Sequence, residues 1–156
     1  MIEFLMWCES TPLSRWVLSA KWQYPMVEIF HIAGLVLVFG SVLVLNLRIF
    51  GLILPRQPVY EIAAGLSPVT LIGIAAQFIS GPVLFMATAK HFYESVPFRV
   101  KLLLLAVALV YHFGVHRSLA MNPATLERTL KTSAFGSMLL WGGLVIAGLS
   151  IELLAG

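Results

Sequence analysis

Four long apolar stretches dominate the pattern of hydrophobic and polar positions along the chain. In the first stretch no charged residue lies between Glu28 and Arg48, and the 19 positions from 29 to 47 span roughly 28 Å as a helix. The hydrocarbon core of a bilayer is about 30 Å thick, so a helix of this length is long enough to cross it. The pattern predicts four membrane-spanning helices, at about residues 25–50, 67–89, 98–119 and 132–154.

The connections between these stretches are short and marked by helix-breaking residues. Pro55 and Pro58 separate the first two stretches, and Asn122 with Pro123 predicts a helix start before the fourth. Short connections make consecutive helices antiparallel neighbours. We therefore predict an all-α fold, an integral membrane antiparallel four-helix bundle that forms a single transmembrane domain over residues 1–156.

The segment before the first stretch predicts a shorter helix. Thr11 is a typical N-cap residue, and Pro12 is favoured at the first position of a helix. Leu13 and Trp16 then fall on one face, and tryptophan is common where a helix lies in the membrane interface. We predict an N-terminal interfacial amphipathic helix at about residues 12–22.

Composition places the protein in the membrane class and excludes other classes. The chain is 60% hydrophobic and 11% charged, with a mean hydropathy of +0.94, whereas soluble domains are about half apolar and a quarter charged. Its lysines and arginines are scattered at the ends of the stretches, so the net charge of +3 does not indicate nucleic-acid binding. The single cysteine, Cys8, excludes an internal disulfide and a covalent c-type haem. The lipid bilayer is therefore the first predicted partner.

The third stretch carries three groups that lipid penalises: Lys101, His112 and His116. The eleven steps from Lys101 to His112 turn through about 1100°, which returns to within about 20° of the starting direction. The two residues therefore share one stripe with Ala108, and they are roughly 16 Å apart along the axis. We expect this stripe to face the bundle interior or a partner. Two simpler interpretations stay open: both histidines are interfacial residues bonded to a loop, or Lys101 extends to the headgroups.

The first stretch contributes His31, with Glu28 one turn earlier. Neutral imidazole is a common ligand of iron, copper and zinc, and histidines on the helices of a bundle hold cofactors in its core. His31 and His112 differ by about 12 Å in height if the helices stand upright, so we do not expect both on one iron. A haem held by His31 alone, or by His31 and Met86, fits the depths better, with Lys101 anchoring a propionate.

The run EIFHIAGLVLVFGSVLVLNLRIFGL, with FRVKLLLL and FGVHR later in the chain, resembles a family of short, four-span bacterial membrane proteins of unknown function. More distantly, the sequence is similar to the HemJ-type protoporphyrinogen oxidases and to CopD-like copper-resistance proteins. The HemJ-type resemblance implies b-type haem binding and porphyrin chemistry, and it marks His31, Lys101 and His112. It also implies a location in the bacterial cytoplasmic (inner) membrane.

We therefore predict a b-type haem-binding integral membrane protein of electron-transfer or redox kind. His31 and His112 are the candidate iron ligands, and His112 with His116 forms a second ligand site or a proton or quinone contact. If the protein catalyses a reaction, we expect an oxidoreductase.

Two alternatives stay open. One is a non-enzymatic accessory subunit that docks on other membrane subunits or on copies of itself. The other is a copper or proton conduit lined by His31, Met86, His112 and His116.

Overall fold

The structure is a computed structural model that describes residues 2–154, and those residues form helices and turns without any strand. The predicted all-α fold is confirmed. In chain order the helices are α1 (Ile2–Ser10), α2 (Pro12–Leu18), α3 (Gln23–Ile49), α4 (Val59–Ala87), α5 (Ala89–Glu94), α6 (Val96–Tyr111), a π-helical turn (His112–His116), α7 (Arg117–Met121) and α8 (Glu127–Leu154).

Four of the helical segments are long and apolar enough to cross a membrane, which makes the chain a multi-pass membrane protein. They are Gln23–Ile49, Val59–Ala87, Val96–Met121 and Glu127–Ile151. The third segment joins α6, the π-helical turn and α7. Large apolar side chains remain exposed on all four segments, for example Val36, Ile72, Leu103 and Ile146. In a bilayer these side chains meet lipid tails rather than water.

Two helix starts differ from those expected from the sequence. The second long helix begins at Val59 rather than near residue 67, because residues 59–66 are helical and continuous with the apolar run. The fourth begins at Glu127 rather than at Asn122 and Pro123. The side-chain oxygen of Asn122 accepts a hydrogen bond from the amide of Ala124, 3.0 Å away. This turn bends the chain before the helix can start.

Helices α3 and α4 pack antiparallel with their backbones in close contact. A Cβ added at Gly73 would lie 2.8 Å from the carbonyl oxygen of Gly34, so only glycine permits this approach. Further along the same interface, the hydroxyl groups of Ser41 and Thr70 are 2.8 Å apart. Along the interface the residue numbers therefore increase in α3 while those of their partners decrease in α4, as expected for antiparallel neighbours in an up-and-down bundle.

Helix α8 packs on α6 and on α3 and joins the two halves of the bundle. The central core cluster contains Val38 and Val42 from α3, Ala108 from α6, and Trp141 and Leu144 from α8. Helix α6 packs mainly on α8 and reaches the α3 side of the core cluster through its side chains, among them Ala108, Leu104 and Leu105.

The N-terminal helices cover one end of the bundle. The predicted cap is confirmed, since the Thr11 hydroxyl accepts a hydrogen bond from the amide of Ser14, 3.2 Å away. Helix α2 ends at Leu18, earlier than the predicted residue 22, and it packs against α4. Its buried side chains are Ser14 and Val17, whereas Trp16 is exposed. The exposed tryptophan is in keeping with an interfacial helix, which stays a prediction.

Candidate functional site

The polar side chains inside the spans fall into two separate groups. The first, the His31 cluster, consists of His31, Gln77, Ser80 and Lys101. The second, the π-turn cluster, consists of His112 and His116 from the π-helical turn, Ser133, Ser137 and Trp141 from α8, and Asn46 from α3. The two groups lie at different depths, because Lys101 and His112 are separated by eleven residues of the same helical segment, or roughly 16 Å.

The imidazole of His31 is held by a serine on the facing helix. Its Nδ1 lies 2.8 Å from the Ser80 hydroxyl oxygen, and that hydroxyl donates its proton to the carbonyl of Ala76 at 2.6 Å. Ser80 has one proton and has given it to Ala76, so it accepts from Nδ1–H of His31. This assignment leaves the lone pair of His31 on Nε2.

The His31 backbone is tied to the same helix. The side-chain amide of Gln77, three residues before Ser80 on α4, donates to the His31 carbonyl oxygen at 2.5 Å. Both bonds lie next to the close approach at Gly34, where an added Cβ would lie 2.9 Å from the Cβ of Ala76. Both the position and the ring orientation of His31 are therefore fixed by α4.

Lys101 reaches the His31 cluster from α6. Its side chain lies beside Gly148 of α8, where an added Cβ would be 3.9 Å from Nζ, and its charge is within electrostatic reach of His31. A cation inside a membrane span is costly unless a negative group pairs with it, so Lys101 favours an anionic group at this position.

The π-turn cluster repeats the arrangement found at His31. Nδ1 of His116 lies 3.2 Å from the Ser133 hydroxyl oxygen, and that hydroxyl donates to the carbonyl of Leu130 at 2.9 Å. The same reasoning places the proton of His116 on Nδ1 and the lone pair on Nε2. Here, however, the ring is fully buried and its Nε2 has no hydrogen-bond partner.

Other polar atoms of the π-turn cluster are also unpaired. Nδ1 of His112, Oδ1 of Asn46 and Nε1 of Trp141 are buried without a partner. Asn46 donates only a long bond of 3.4 Å, to the hydroxyl of Ser137. The ring centroids of His112 and Trp141 are 6.2 Å apart in an edge-to-face arrangement. Buried polar atoms are nearly always bonded, so this concentration of unpaired atoms marks the cluster as a candidate binding site.

A small cavity of about 10 Å³ adjoins His112. It is lined by residues from three segments: Ser41, Val42, Leu45, Ala63, Leu66, Ser67, Thr70, His112 and Arg117. The Arg117 guanidinium is held at its edge by a 2.8 Å hydrogen bond from Nε to the Ser67 hydroxyl. A volume of this size admits about one water molecule, so the cavity is far too small for a porphyrin.

A family of unknown function, DUF6644, matches residues 4–153 of the chain. The chain belongs to this family. No curated protein matches it, and no solved structure matches it. The predicted resemblance to a four-span family of unknown function thus has support in the DUF6644 match and in the four long apolar helices, whereas the distant similarity to HemJ-type and CopD-like proteins stays a prediction.

In this DUF6644 member the predicted site residues separate into three places. His31 and Lys101 share one cluster, and His112 and His116 share the other, with ring centroids 5.9 Å apart. Met86 belongs to neither, because it packs against the buried group of Leu5, Cys8 and Ala89 at the N-terminal helices. None of the described contacts joins Met86 to His31.

The serines that orient the two histidines were not among the predicted site residues. Ser80 lies on a different helix from His31, and Ser133 lies 17 positions from His116. The sequence did contain one signal, since small hydroxyl residues in a membrane helix often bond to a facing helix. Identifying the partner, however, requires the register between helices.

Proposed function

We propose that this DUF6644 protein binds haem b at the His31 cluster and takes part in electron transfer in the membrane. The observation that carries the proposal is the hydrogen-bond chain from His31 through Ser80 to Ala76, which leaves Nε2 available as a ligand. Metal-ligating histidines almost always donate their other ring N–H, and that bond fixes the ring and raises the basicity of the ligating nitrogen.

The charge of the cluster suits the propionates of haem b. Lys101 places a cation within electrostatic reach of His31. A propionate carboxylate would neutralise it with a charge-assisted hydrogen bond. This pairing also explains a lysine inside a segment that otherwise faces lipid and apolar side chains.

The surroundings of His31 also fit a large planar group. The His31 side chain is only half-buried, so its imidazole is not sealed inside the bundle. A porphyrin held by His31 would lie at the open side of the ring, where its apolar faces would meet side chains and lipid. The buried π-turn cluster fits such a group poorly, because its cavity holds about one water molecule.

Haem iron supplies a one-electron couple when bound, and the protein's part is to hold and orient the ligand. Ser80 fixes the protonated nitrogen of His31, Gln77 anchors its backbone, and Lys101 provides the positive charge. The bacterial cytoplasmic membrane is the location that we propose. If catalysis accompanies electron transfer, the reaction would be an oxidoreduction.

The test is the visible spectrum of the full chain, purified in detergent after expression with a haem supply. We expect a Soret band, with an α band on reduction, and about one haem per chain. His31→Ala removes the bound haem, and added imidazole restores it because the free base can occupy the vacant ligand position. Ser80→Ala keeps the ligating histidine but weakens haem retention by about 10- to 100-fold.

Two controls separate ligation from general loss of folding. His91→Ala changes an exposed histidine of α5 and leaves the spectrum unchanged. His112→Ala removes a histidine of the other cluster and likewise keeps the haem. A colourless wild-type protein, or an unchanged spectrum in His31→Ala, contradicts the proposal. Co-purification of a colourless chain with partner subunits would support the accessory-subunit alternative instead.

A further inference from the structure

The π-turn cluster plays no part in the proposed haem site, yet it contains two buried imidazoles with unpaired nitrogens. His116 is fully buried with Nε2 unbonded, and His112 is 4% exposed with Nδ1 unbonded. Inside a membrane span bulk water is not available to bond to such nitrogens. Leaving them unbonded therefore costs free energy, unless a ligand binds them.

A single internal water does not account for both histidines. The cavity beside His112 has room for about one water molecule, which could bond to His112 and to the hydroxyl groups of Ser41 or Thr70. His116 does not line that cavity. Its Nε2 would remain unpaired after the water is added, so that water satisfies only one of the two imidazoles.

The spacing of the two rings matches a shared metal ion. Their centroids are 5.9 Å apart, with an angle of 47° between the ring planes. Histidine–metal bonds of about 2.0–2.1 Å place the centroids of two rings on one ion roughly 5 to 6.5 Å apart. The pair also lies in a π-helical turn, a rare distortion that is frequent at functional sites.

The hydrogen bond at His116 is the one that a ligating histidine needs. Ser133 accepts from Nδ1–H and donates onward to Leu130, so the nitrogen without a partner carries the lone pair. A serine in this position orients the ring and sets the tautomer before any ion arrives. The ligand nitrogen is therefore preorganised.

We propose that His112 and His116 bind one copper(I) ion. Two neutral imidazoles can hold a monovalent d¹⁰ ion such as copper(I), for which imidazole is a suitable ligand, whereas zinc takes four ligands in structural sites. No group of three or more His, Cys, Asp or Glu side chains placed to hold a metal occurs in the described residues. The charge of Arg117 also acts on His112, and this repulsion disfavours a divalent ion more than a monovalent one.

The test uses the full chain in detergent, titrated with copper(I) under a reductant in competition with a coloured copper(I) chelator. We expect one copper(I) per chain for the wild type. His112→Ala and His116→Ala each abolish this binding, and Ser133→Ala, which keeps both rings, weakens it by about 10- to 100-fold. X-ray absorption should show two nitrogen ligands at about 2 Å.

Matched variants make the result independent of the haem proposal and of folding. His91→Ala and His31→Ala both keep the copper(I) site, so loss of haem in His31→Ala leaves this prediction standing. Size-exclusion profiles in detergent show whether each variant is folded, and His116→Gln serves as a milder replacement of the ligand. The proposal is overturned if the wild type binds no copper(I) above the detergent blank, if the double variant of both histidines binds as well as the wild type, or if zinc binds there in preference.

Discussion

The close contact between α3 and α4 gives the sharpest prediction about stability. A Cβ added at Gly73 would lie 2.7 Å from Cγ2 of Val38, 2.8 Å from the carbonyl oxygen of Gly34 and 2.9 Å from the amide nitrogen of Val38. Ordinary contacts of this kind begin near 3.4 Å. Two of the three contacts are with backbone atoms, which cannot rotate away, so Gly73→Ala forces the helices apart by several tenths of an ångström.

The expected magnitude follows from two opposing effects. Overpacking of a well-packed interface costs about 1–3 kcal/mol, and rigid backbone neighbours favour the upper half of that range. Alanine is the better helix former by about 1 kcal/mol, which offsets part of the loss. We therefore expect Gly73→Ala to lower the free energy of unfolding by about 1–2 kcal/mol.

Gly65 provides a control in the same helix. A Cβ added there has no atom within 4 Å, so Gly65→Ala should leave stability unchanged or raise it by about 0.5–1 kcal/mol. The measurement is a reversible unfolding titration with SDS in mixed micelles, followed by far-UV circular dichroism. Equal stability of the two variants would refute the close backbone approach. Because the same interface holds Ser80 against His31, Gly73→Ala should also reduce haem retention.

Two further predictions concern individual side chains of α8. Trp141→Phe removes a buried N–H without a partner and should change the free energy of unfolding by less than about 1 kcal/mol. Trp141→Ala leaves a cavity in the core and should lower the free energy of unfolding by about 3–5 kcal/mol in the same titration. A large loss in the phenylalanine variant would mean that the indole N–H is bonded. Lys131→Ala breaks an exposed pair with Glu127 at 2.6 Å, and we expect no measurable change in the unfolding midpoint.

The fold was predictable because it depends on composition and length, which are properties of the chain itself. Runs of about 20 apolar residues specify spanning helices, and short connections specify antiparallel neighbours. Helix ends were less predictable. The residues from Val59 form a helix continuous with the apolar run, and Asn122 forms a local turn instead of a helix cap. Both outcomes depend on competing local hydrogen bonds.

The candidate sites were predictable only in part. Imidazoles in apolar stretches are conspicuous in a sequence, and helical geometry correctly separated His31 from His112 in depth. It could not show that Met86 packs against the N-terminal helices, because that contact depends on the path of α1 and α5. Nor could it pair His31 with Ser80, since a difference of one residue in the register between α3 and α4 would have placed a different side chain there.

The two serine–histidine pairs explain how one chain could offer two kinds of site. In each pair the serine donates its only proton to a carbonyl of its own helix, so it can only accept from the imidazole, and the lone pair is fixed on Nε2. The surroundings then decide the ligand. His31 is half-buried and within electrostatic reach of the Lys101 cation, which suits a large group with carboxylates. Nε2 of His116 lies in a sealed interior with a second imidazole nearby, which suits a small ion. Exchange of ligands between the two clusters is therefore not expected, and His31→Ala and His116→Ala should each remove one ligand and leave the other bound.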